Sequence, residues 1–197
     1  MSKSAADRLV DGTIRSIAKH GFEGTTVTNI VTEAGLTRAM IMKTFGNKEN
    51  LLRAAAERFG EMYFEKIERL TKASGPDPRD IVRAMVRADL CAEVLNADTI
   101  AVLTVLRGLA QSDPKIREFS STRDHRLRNI YTTAIANALG QSENDPSLAQ
   151  DLATATIAML EGFWADYFLF MDSFDREKAQ DLIGMLLEPY WDASERF

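Results

Sequence analysis

The chain has 197 residues, of which 45% are hydrophobic and 27% are charged, and its net charge is −5. These values are typical of a globular protein and argue against a disordered chain or a coiled coil. The length accommodates one domain, or a small domain and a larger one, and is sufficient to bury a hydrophobic core.

No targeting or membrane signal is visible in the sequence. The N-terminal stretch MSKSAADRLVDG lacks the apolar core of a secretory signal, and no segment approaches the ~18 unbroken apolar residues of a membrane span. The single cysteine, Cys91, cannot form an internal disulfide and suits a reducing compartment, where it fits the role of a small core residue. We therefore expect a soluble, cytoplasmic protein.

The charge is unevenly distributed along the chain. Residues 1–60 contain nine Lys/Arg and six Asp/Glu, a net charge of +3, whereas the remaining residues carry −8. A basic N-terminal part followed by an acidic remainder is compatible with a local contact to a polyanion, and also with scattered solvated charges.

The N-terminal part has the hydrophobic period of two helices. The first helix is predicted to end near Gly21, which can adopt a left-handed conformation at the helix C-terminus. Thr25 and Thr26 can cap the second helix, and Gly35 is predicted to end it. The apolar face of the first helix consists of Leu9, Val10, Ile14, Ile17 and Ala18.

Two further helix starts follow closely. Thr37 can cap a third helix that runs to about Thr44, and Asn47 can cap a fourth helix with Glu49 in its positively polarised first turn. The fourth helix then continues for many turns, because its apolar residues recur at helical spacing. These residues are Leu51, Leu52, Ala55, Phe59, Met62, Tyr63 and Leu70.

The rest of the chain also has a helical period. The stretch ASGPDP (73–78) is the clearest linker, and no strand pattern or internal repeat is apparent. The sequence therefore predicts an all-α fold of about nine helices. The predicted later helices cover about 79–95, 98–111, 114–139, 147–171 and 175–190.

The short helices on either side of Ala34-Gly35-Leu36 fit a helix-turn-helix. The glycine permits the tight turn, and the second helix of the pair leaves Arg38, Lys43 and Thr44 free to enter a DNA major groove. An ordinary αα-hairpin within a helical bundle is the alternative interpretation of the same turn. The inner packing residues are predicted to be Ile30, Val31, Leu36, Ile41 and Phe45.

The stretch RLVDGTIRSIAKHGFEGTTVTNIVTEAGLTRAMIMKTFGNKENLL resembles the DNA-binding head of TetR-family transcriptional regulators. The resemblance rests on Ala-Gly-Leu-Thr at the turn and on Phe45, Lys48, Glu49 and Leu51 at the family's spacing. It implies a helix-turn-helix DNA-binding domain at residues 1–50 and a helical effector-binding and dimerisation domain at residues 51–197. It further implies a homodimer that binds a palindromic operator in double-stranded DNA and leaves it when a small molecule binds, most simply as a repressor.

The resemblance assigns DNA contacts to individual residues. It implies that the lysine at position 48 grips phosphate, whereas the family's usual tyrosine and histidine before Phe45 are replaced by Met42 and Thr44. Because Met42 cannot donate a hydrogen bond to phosphate, a helical ligand- or partner-binding module whose head no longer reads specific DNA is the alternative. The expected DNA-contacting residues are Thr26, Thr28, Thr37, Arg38, Met42, Lys43, Thr44 and Lys48.

The remainder of the chain resembles the choline-sensing BetI-like branch of the same family, through stretches such as DPRDIVRAMVRADLCAEVL and MLEGFWADY. That branch usually has tryptophans in the helix that here carries Leu103 and Arg107, so we do not expect a choline-like ligand. Two charged residues interrupt apolar stripes, and they either pair with each other or line a pocket. Asp89 interrupts the stripe of Ile81, Met85 and Ala88, and Arg123 interrupts the stripe of Ile116, Phe119, Leu127, Ile130 and Ala134. The candidate ligand-binding residues are Phe59, Met62, Asp89, Arg107, Arg123, Trp164 and Phe168.

The arginines favour an apolar ligand with an anionic or polar group, and a cationic ligand held by Asp89 and Trp164 is the second choice.

The last two predicted helices carry more apolar residues than one internal face requires, which predicts a two-fold four-helix interface. The residues expected there are Leu160, Phe163, Trp164, Phe168, Leu182, Ile183, Leu186 and Leu187.

We expect neither catalytic activity nor a bound metal or cofactor. His20 and His125 lie far apart in the sequence and outside any metal-ligand or nucleophile motif, and there is no glycine-rich phosphate loop. Glu143 and Asp145 fall in a polar loop, where solvation accounts for them.

Overall fold

The computed structural model describes residues 3–140 and 147–193, and within these ranges it contains nine α-helices, one short 3₁₀ turn and no strand. The all-α prediction is therefore confirmed. The predicted loop with Glu143 and Asp145 lies outside the described residues. None of the helices in the described ranges is long and apolar enough to cross a membrane. The helices are α1 (Ala5–Gly24), α2 (Val27–Ala34), α3 (Arg38–Phe45), α4 (Lys48–Thr71), α5 (Pro78–Leu90), α6 (Ala97–Leu109), α7 (Pro114–Ala138), α8 (Ser147–Leu169) and α9 (Arg176–Ala193).

The helices form two compact units. One, the head unit, comprises Met1–Tyr63 and Asn96–Thr122, and the other, the body unit, comprises Phe64–Leu95 and Arg123–Phe197. The boundaries fall within α4 and α7, so each of these helices contributes residues to both units. The functional division after residue 50 remains a prediction.

The head unit has two adjoining hydrophobic cores. In the first, α1, α2, α3 and α4 meet through the fully or almost fully buried side chains of Leu9, Ile30, Ile41 and Leu51. In the second, α1 and α4 pack against α6 and the start of α7. The buried residues of this second core are Ile14, Ile17, Leu52, Ala55, Ala56, Val102, Leu106 and Ile116.

Two glycines set the helix ends in the head unit. Gly21 has φ 63° and ψ −168°, which interrupts α1 where the sequence predicts its end, and a further turn runs to Gly24. Gly35 lies in the left-handed region, with φ 63° and ψ 40°, and ends α2 as predicted. The guanidinium of Arg8 donates hydrogen bonds of 2.9 Å to the carbonyls of Ala34 and Gly35, which ties α1 to this turn.

The prediction for the end of α5 is wrong. The apolar period continues to Leu95, but the helix stops at Leu90 and the chain turns at Cys91, which is extended (φ −71°, ψ 158°). The guanidinium of Arg176, at the start of α9, donates to the carbonyl of Leu90 and, at 2.8 Å, to the carbonyl of Leu95. A distant side chain thus satisfies carbonyls that would otherwise be unpaired at this helix end.

In the body unit, α9 packs against α5 and α8. Of the residues predicted to form an intermolecular interface, Leu160, Ile183 and Leu187 are buried within this unit and belong to its own core. Phe168 is 51% exposed and Leu182 is 38% exposed. Apolar surface beyond the predicted set is exposed nearby at Leu169, Phe170, Met171, Met185 and Tyr190.

The close approach of α1 and α2 depends on the absence of a side chain at Gly12. A Cβ at this position would lie 2.8 Å from both the Cβ and the backbone nitrogen of Ala34. We expect Gly12→Ala to destabilise the protein by about 1–2 kcal/mol, because overpacking costs roughly 1–3 kcal/mol and helix propensity returns at most ~1 kcal/mol. The midpoint of urea unfolding measures this change.

Gly108→Ala is the matched control, because a Cβ at Gly108 in α6 meets no atom within 4 Å. This substitution should leave stability unchanged or raise it by up to ~1 kcal/mol, as expected from helix propensity alone. Equal effects of the two substitutions would show that the α1–α2 contact is not tight.

Candidate functional site

The candidate DNA-contacting residues of α3 form a continuous exposed surface. Thr37 occupies the N-cap position, its side chain makes no capping hydrogen bond, and the residue is exposed. Arg38, Lys43 and Thr44 are exposed, and Met42 is 65% exposed. We call these five residues the α3 surface. On the opposite side of the same helix, Ile41 is buried in the head core and fixes which face of α3 points outward.

Residues of α2 lie beside the α3 surface. The Arg38 guanidinium donates a hydrogen bond of 2.5 Å to the hydroxyl of Thr28. Thr26 is the N-cap of α2, and its hydroxyl accepts a hydrogen bond of 3.2 Å from the amide of Asn29. Thr25 does not cap the helix, because it is buried and its hydroxyl donates to the carbonyl of Gly21. The structure thus joins Thr28 directly to Arg38 and keeps Thr26 exposed at the α2 start.

Lys48 begins α4, and its ammonium group lies 5.9 Å from the centroid of the Phe22 ring. Phe22 is 50% exposed, which is unusual for a large aromatic residue unless it has a role at the surface. This distance is within the range of a cation–π contact, which holds the lysine near the ring face. Sequence reasoning missed Phe22, because nothing in the local spacing connects it to Lys48.

Four of the eight basic residues between positions 3 and 53 form ion pairs with carboxylates. These pairs are Lys3 with Asp11, Arg15 and Lys19 with Glu33, and Arg53 with Asp113. Arg8 donates instead to the backbone carbonyls of Ala34 and Gly35. In this described part of the chain, the basic side chains that contact neither a carboxylate nor a carbonyl are Arg38, Lys43 and Lys48, which lie on α3 and at the start of α4.

Two of these carboxylates are held in their charged form by their partners. The hydrogen bond from Lys19 lowers the pKa of Glu33 from its ordinary value. Burial acts to raise the pKa of Asp113, but the hydrogen bonds from Arg53 and from the backbone amides of Ile116 and Lys115 outweigh it, and the pKa is lowered. Both groups are therefore ionised at neutral pH and neutralise the cations beside them.

The body unit contains a cavity of about 910 Å³, within the roughly 300–1,000 Å³ that is usual for small-molecule sites. Its wall is formed by the last turns of α4, by α5 and by α7. The lining residues among those described are Phe64, Ile67, Glu68, Thr71, Pro78, Ile81, Met85, Arg126, Asn129, Ile130, Thr133, Ala134, Asn137 and Gly140.

The charged ligand candidates lie elsewhere. The Asp89 side chain is buried and accepts a hydrogen bond of 2.8 Å from the hydroxyl of Tyr131. Arg123 forms an ion pair with its sequence neighbour Asp124, at 2.6 Å. Arg107 is exposed on α6, in the head unit. None of these three candidates is among the described residues that line the cavity.

The remaining candidates are likewise outside the described lining. Phe59 and Met62, on α4, pack against the second core of the head unit. Trp164 and Phe168 lie on α8, the first half-buried and the second mostly exposed. The cavity itself is lined by residues of the apolar stripes that the sequence predicts on α5 and α7, namely Ile81, Met85, Ile130 and Ala134.

Sequence reasoning selected Arg123 and missed Arg126. The guanidinium of Arg126 lies 4.1 Å from the centroid of the buried Phe64 ring at the cavity wall. A sequence signal exists, since Arg126 precedes the cavity residues Ile130 and Ala134 by four and eight positions and so shares their helix face. Arg123 lies seven positions before Ile130, almost two full turns, so helical spacing places it on the same face as well, and the spacing alone does not distinguish the two arginines.

The chain matches two family descriptions. Residues 9–55 match bacterial regulatory proteins of the tetR family, and residues 78–191 match the C-terminal region of BetI-type transcriptional repressors. The second match alone covers more than half of the chain. The predicted resemblance is therefore confirmed for the head and for the remainder.

Individual relatives agree with these matches. The HTH-type transcriptional regulator BetI of Burkholderia thailandensis is 26% identical over 186 residues, which are 92% of this chain and 93% of the relative. The BetI regulator of Burkholderia cenocepacia (strain ATCC BAA-245) is 25% identical over 157 residues, which are 80% of this chain and 78% of the relative.

Solved structures show the same fold. A transcriptional regulator from Pseudomonas aeruginosa PAO1 aligns with a TM-score of 0.80 at 20% identity, over 98% of this chain and 93% of that protein. A regulator from Saccharomonospora viridis, solved in complex with choline, aligns with a TM-score of 0.79 at 20% identity, over 93% and 95%. Together with the α3 surface, these similarities establish that the chain belongs to the TetR family of bacterial transcriptional regulators, with a C-terminal region of the BetI type.

Proposed function

We propose that the protein is a homodimeric repressor that binds a palindromic operator through the α3 surface and leaves it when a small molecule occupies the cavity of the body unit. The observation that carries this proposal is the distribution of ion-paired charge between residues 3 and 53. Arg38, Lys43 and Lys48, which form no ion pair with a carboxylate, lie on α3 and at the start of α4, the elements that a helix-turn-helix presents to DNA.

Within this proposal, the residues divide into two kinds of contact. Arg38 reaches a base edge, because arginine can donate two hydrogen bonds to guanine in the major groove. Met42 offers an apolar contact of the kind that fits a thymine methyl group, in place of a phosphate hydrogen bond. Thr26 and Lys48 contact phosphate, with Lys48 held in position by Phe22.

The dimer is proposed to form through the exposed apolar surface of α8 and α9. Phe168, Leu169, Met185 and Tyr190 are all at least 41% exposed, and such a concentration of large apolar side chains marks an interaction surface. A dimer that binds a palindromic operator on one face of DNA needs two copies of α3 about 34–36 Å apart, the spacing of successive major grooves. Asp89 and Trp164 then have structural roles and do not hold the ligand.

Release of DNA is proposed to act through α4. This helix starts at Lys48 and reaches the cavity residues Phe64, Ile67, Glu68 and Thr71 in its last turns. We suppose that α4 can take two positions, and that a ligand in the cavity binds one of them more tightly. Binding then increases the population of that position and changes where Lys48 lies.

The two kinds of DNA contact predict different responses to substitution. Arg38→Ala should weaken binding to the preferred operator by about 1–3 kcal/mol and reduce the preference over altered operators. Lys48→Ala should weaken binding to all sequences alike and reduce the steepness of the salt dependence by about one unit of slope. Both are measured by fluorescence anisotropy over a range of salt concentrations, with an operator selected from a pool of random palindromes.

Lys3→Ala is the matched control, because Lys3 is an exposed basic residue that pairs with Asp11. It should bind the operator as the wild type does. If Arg38→Ala retained the full preference among operators, base reading by Arg38 would be wrong. If the wild-type protein selected no sequence at all, the head would belong to a module that no longer reads specific DNA.

The proposed dimer surface can be tested by substitution of its exposed apolar residues. Replacing both Met185 and Phe168 by Glu should convert the dimer to a monomer, because two carboxylates in each subunit cannot be buried without a partner. Thr104→Glu places the same charge at an exposed position of α6 and should leave the dimer intact. Sedimentation velocity at micromolar concentration separates the two states, and a double variant that remained dimeric would place the interface elsewhere.

A further inference from the structure

Among the described residues that line the cavity of the body unit, Arg126 is the one cation, and an aromatic ring lies against it. The Arg126 guanidinium lies over the ring of Phe64, which is only 6% exposed. Burial of the ring fixes its position, and the contact of 4.1 Å draws the exposed guanidinium toward the ring at the cavity wall. A guanidinium held in this way loses less conformational freedom when it binds an anion than a free side chain does.

The facing walls are mainly apolar. Ile67 comes from α4, and Ile81 and Met85 come from α5, while Pro78 adds a further apolar surface at the start of α5. These residues offer no charge to a ligand, and the free energy of binding becomes more favourable when an apolar group of the ligand covers their surface. The cavity therefore suits a molecule that has a long apolar part.

The polar groups of the cavity lie mostly on one face of α7. Arg126, Asn129, Thr133 and Asn137 recur at intervals of three or four residues, so they form a stripe that runs ~16 Å along the helix. The guanidinium is at the N-terminal end of this stripe, and neutral amide and hydroxyl groups occupy the rest. A ligand that has a charged group at one end and is uncharged along the rest matches this order of side chains.

The acidic residue of the lining does not favour a cation. The Glu68 carboxylate is 73% exposed and lies 3.5 Å from the ammonium of Lys72, so it is solvated and partly neutralised. Recognition of a quaternary ammonium requires open aromatic faces, but the one aromatic ring among the described lining residues is that of Phe64, which Arg126 covers. The described lining thus offers one cation, held near an aromatic ring, and no aromatic cage.

We propose that the ligand of this cavity is a monoanionic amphiphile of the alkyl carboxylate class, with its carboxylate on Arg126 and its chain along the walls formed by α4 and α5. This assignment rests on the proposed function, in which the body unit binds an effector. In this assignment the anion is recognised by Arg126, and not by Arg107 or Arg123 as the sequence predicted.

Three probes with the same ten-carbon chain test the head-group preference: decanoate, decanol and decyltrimethylammonium, each below its micelle concentration. Calorimetric titration of the full-length protein should give the tightest binding for decanoate. Arg126→Gln should weaken decanoate binding roughly ten- to a hundred-fold, as expected for loss of a charge-assisted hydrogen bond, and should change decanol binding by less than about two-fold. Arg128→Gln is the control, since Arg128 is an exposed arginine two residues away that donates to Thr154, and it should bind decanoate as the wild type does.

A second substitution tests the location of the chain. Ala134→Phe fills the apolar part of the cavity without changing its charge, and it should weaken decanoate and decanol to a similar extent. Undiminished binding of both probes to this variant would show that the cavity is not their site and would overturn the proposal.

The proposal is also overturned if decanoate fails to bind, if decyltrimethylammonium binds at least as tightly, or if Arg126→Gln leaves decanoate binding unchanged. Operator binding by the same proteins without any probe separates this result from the proposed function. Wild-type protein that selects an operator but does not prefer decanoate refutes only the ligand class. Wild-type protein that prefers decanoate through Arg126 but selects no operator supports the ligand class and refutes the proposed repressor.

Discussion

Both candidate sites depend on the continuity of one helix, α4, which is 24 residues long. Its first turns are fixed in the head unit because Leu51 and Leu52 are buried in the two cores. Its last turns supply Phe64 and Ile67 to the cavity of the body unit. The continuous backbone hydrogen bonds between residues four apart make an α-helix stiffer than a loop of the same length. This stiffness is the physical reason for proposing that the cavity and the DNA-contacting residues communicate.

The acidic composition of the chain is compatible with DNA binding because the charges act at short range. At physiological ionic strength the Debye length is about 8 Å, so a contact to DNA depends mainly on the charges close to it and not on the net charge of −5 of the whole chain. Within the head unit, carboxylates such as Glu33 and Asp113 neutralise arginines and lysines on other elements. The unneutralised cations thereby define where phosphate is attracted, although the total positive charge of the head is small.

The helix-turn-helix could be predicted from the sequence because its determinants are local. Gly35 supplies the left-handed residue, Thr26 caps α2, and the apolar spacing around Ile41 fixes the outward face of α3. The end of α5 could not be predicted, because Leu90 and Leu95 continue the apolar period and the carbonyls there are satisfied by a residue 81 or more positions away, Arg176. The local sequence around α5 gives no indication of such long-range hydrogen bonds.

The cavity of the body unit was only half predictable for the same reason. The apolar stripes identified the faces of α5 and α7 that line it, since burial follows helical periodicity. The choice between neighbouring arginines required knowledge of what each one touches: Arg123 pairs with Asp124, whereas Arg126 lies over Phe64, 62 positions earlier in the chain. An interruption of an apolar stripe thus marks a charge that needs a partner, but does not identify the partner.

The central claim is that occupancy of the cavity and binding of the operator are coupled through α4. The most direct test is a closed thermodynamic cycle, in which the Kd of operator is measured with and without saturating decanoate and the Kd of decanoate with and without saturating operator. Linkage requires both ratios to be equal, and a coupling of about 1–3 kcal/mol predicts that each ligand weakens the other by roughly 5- to 150-fold. Two ratios equal to one, with both ligands bound tightly, would contradict the account.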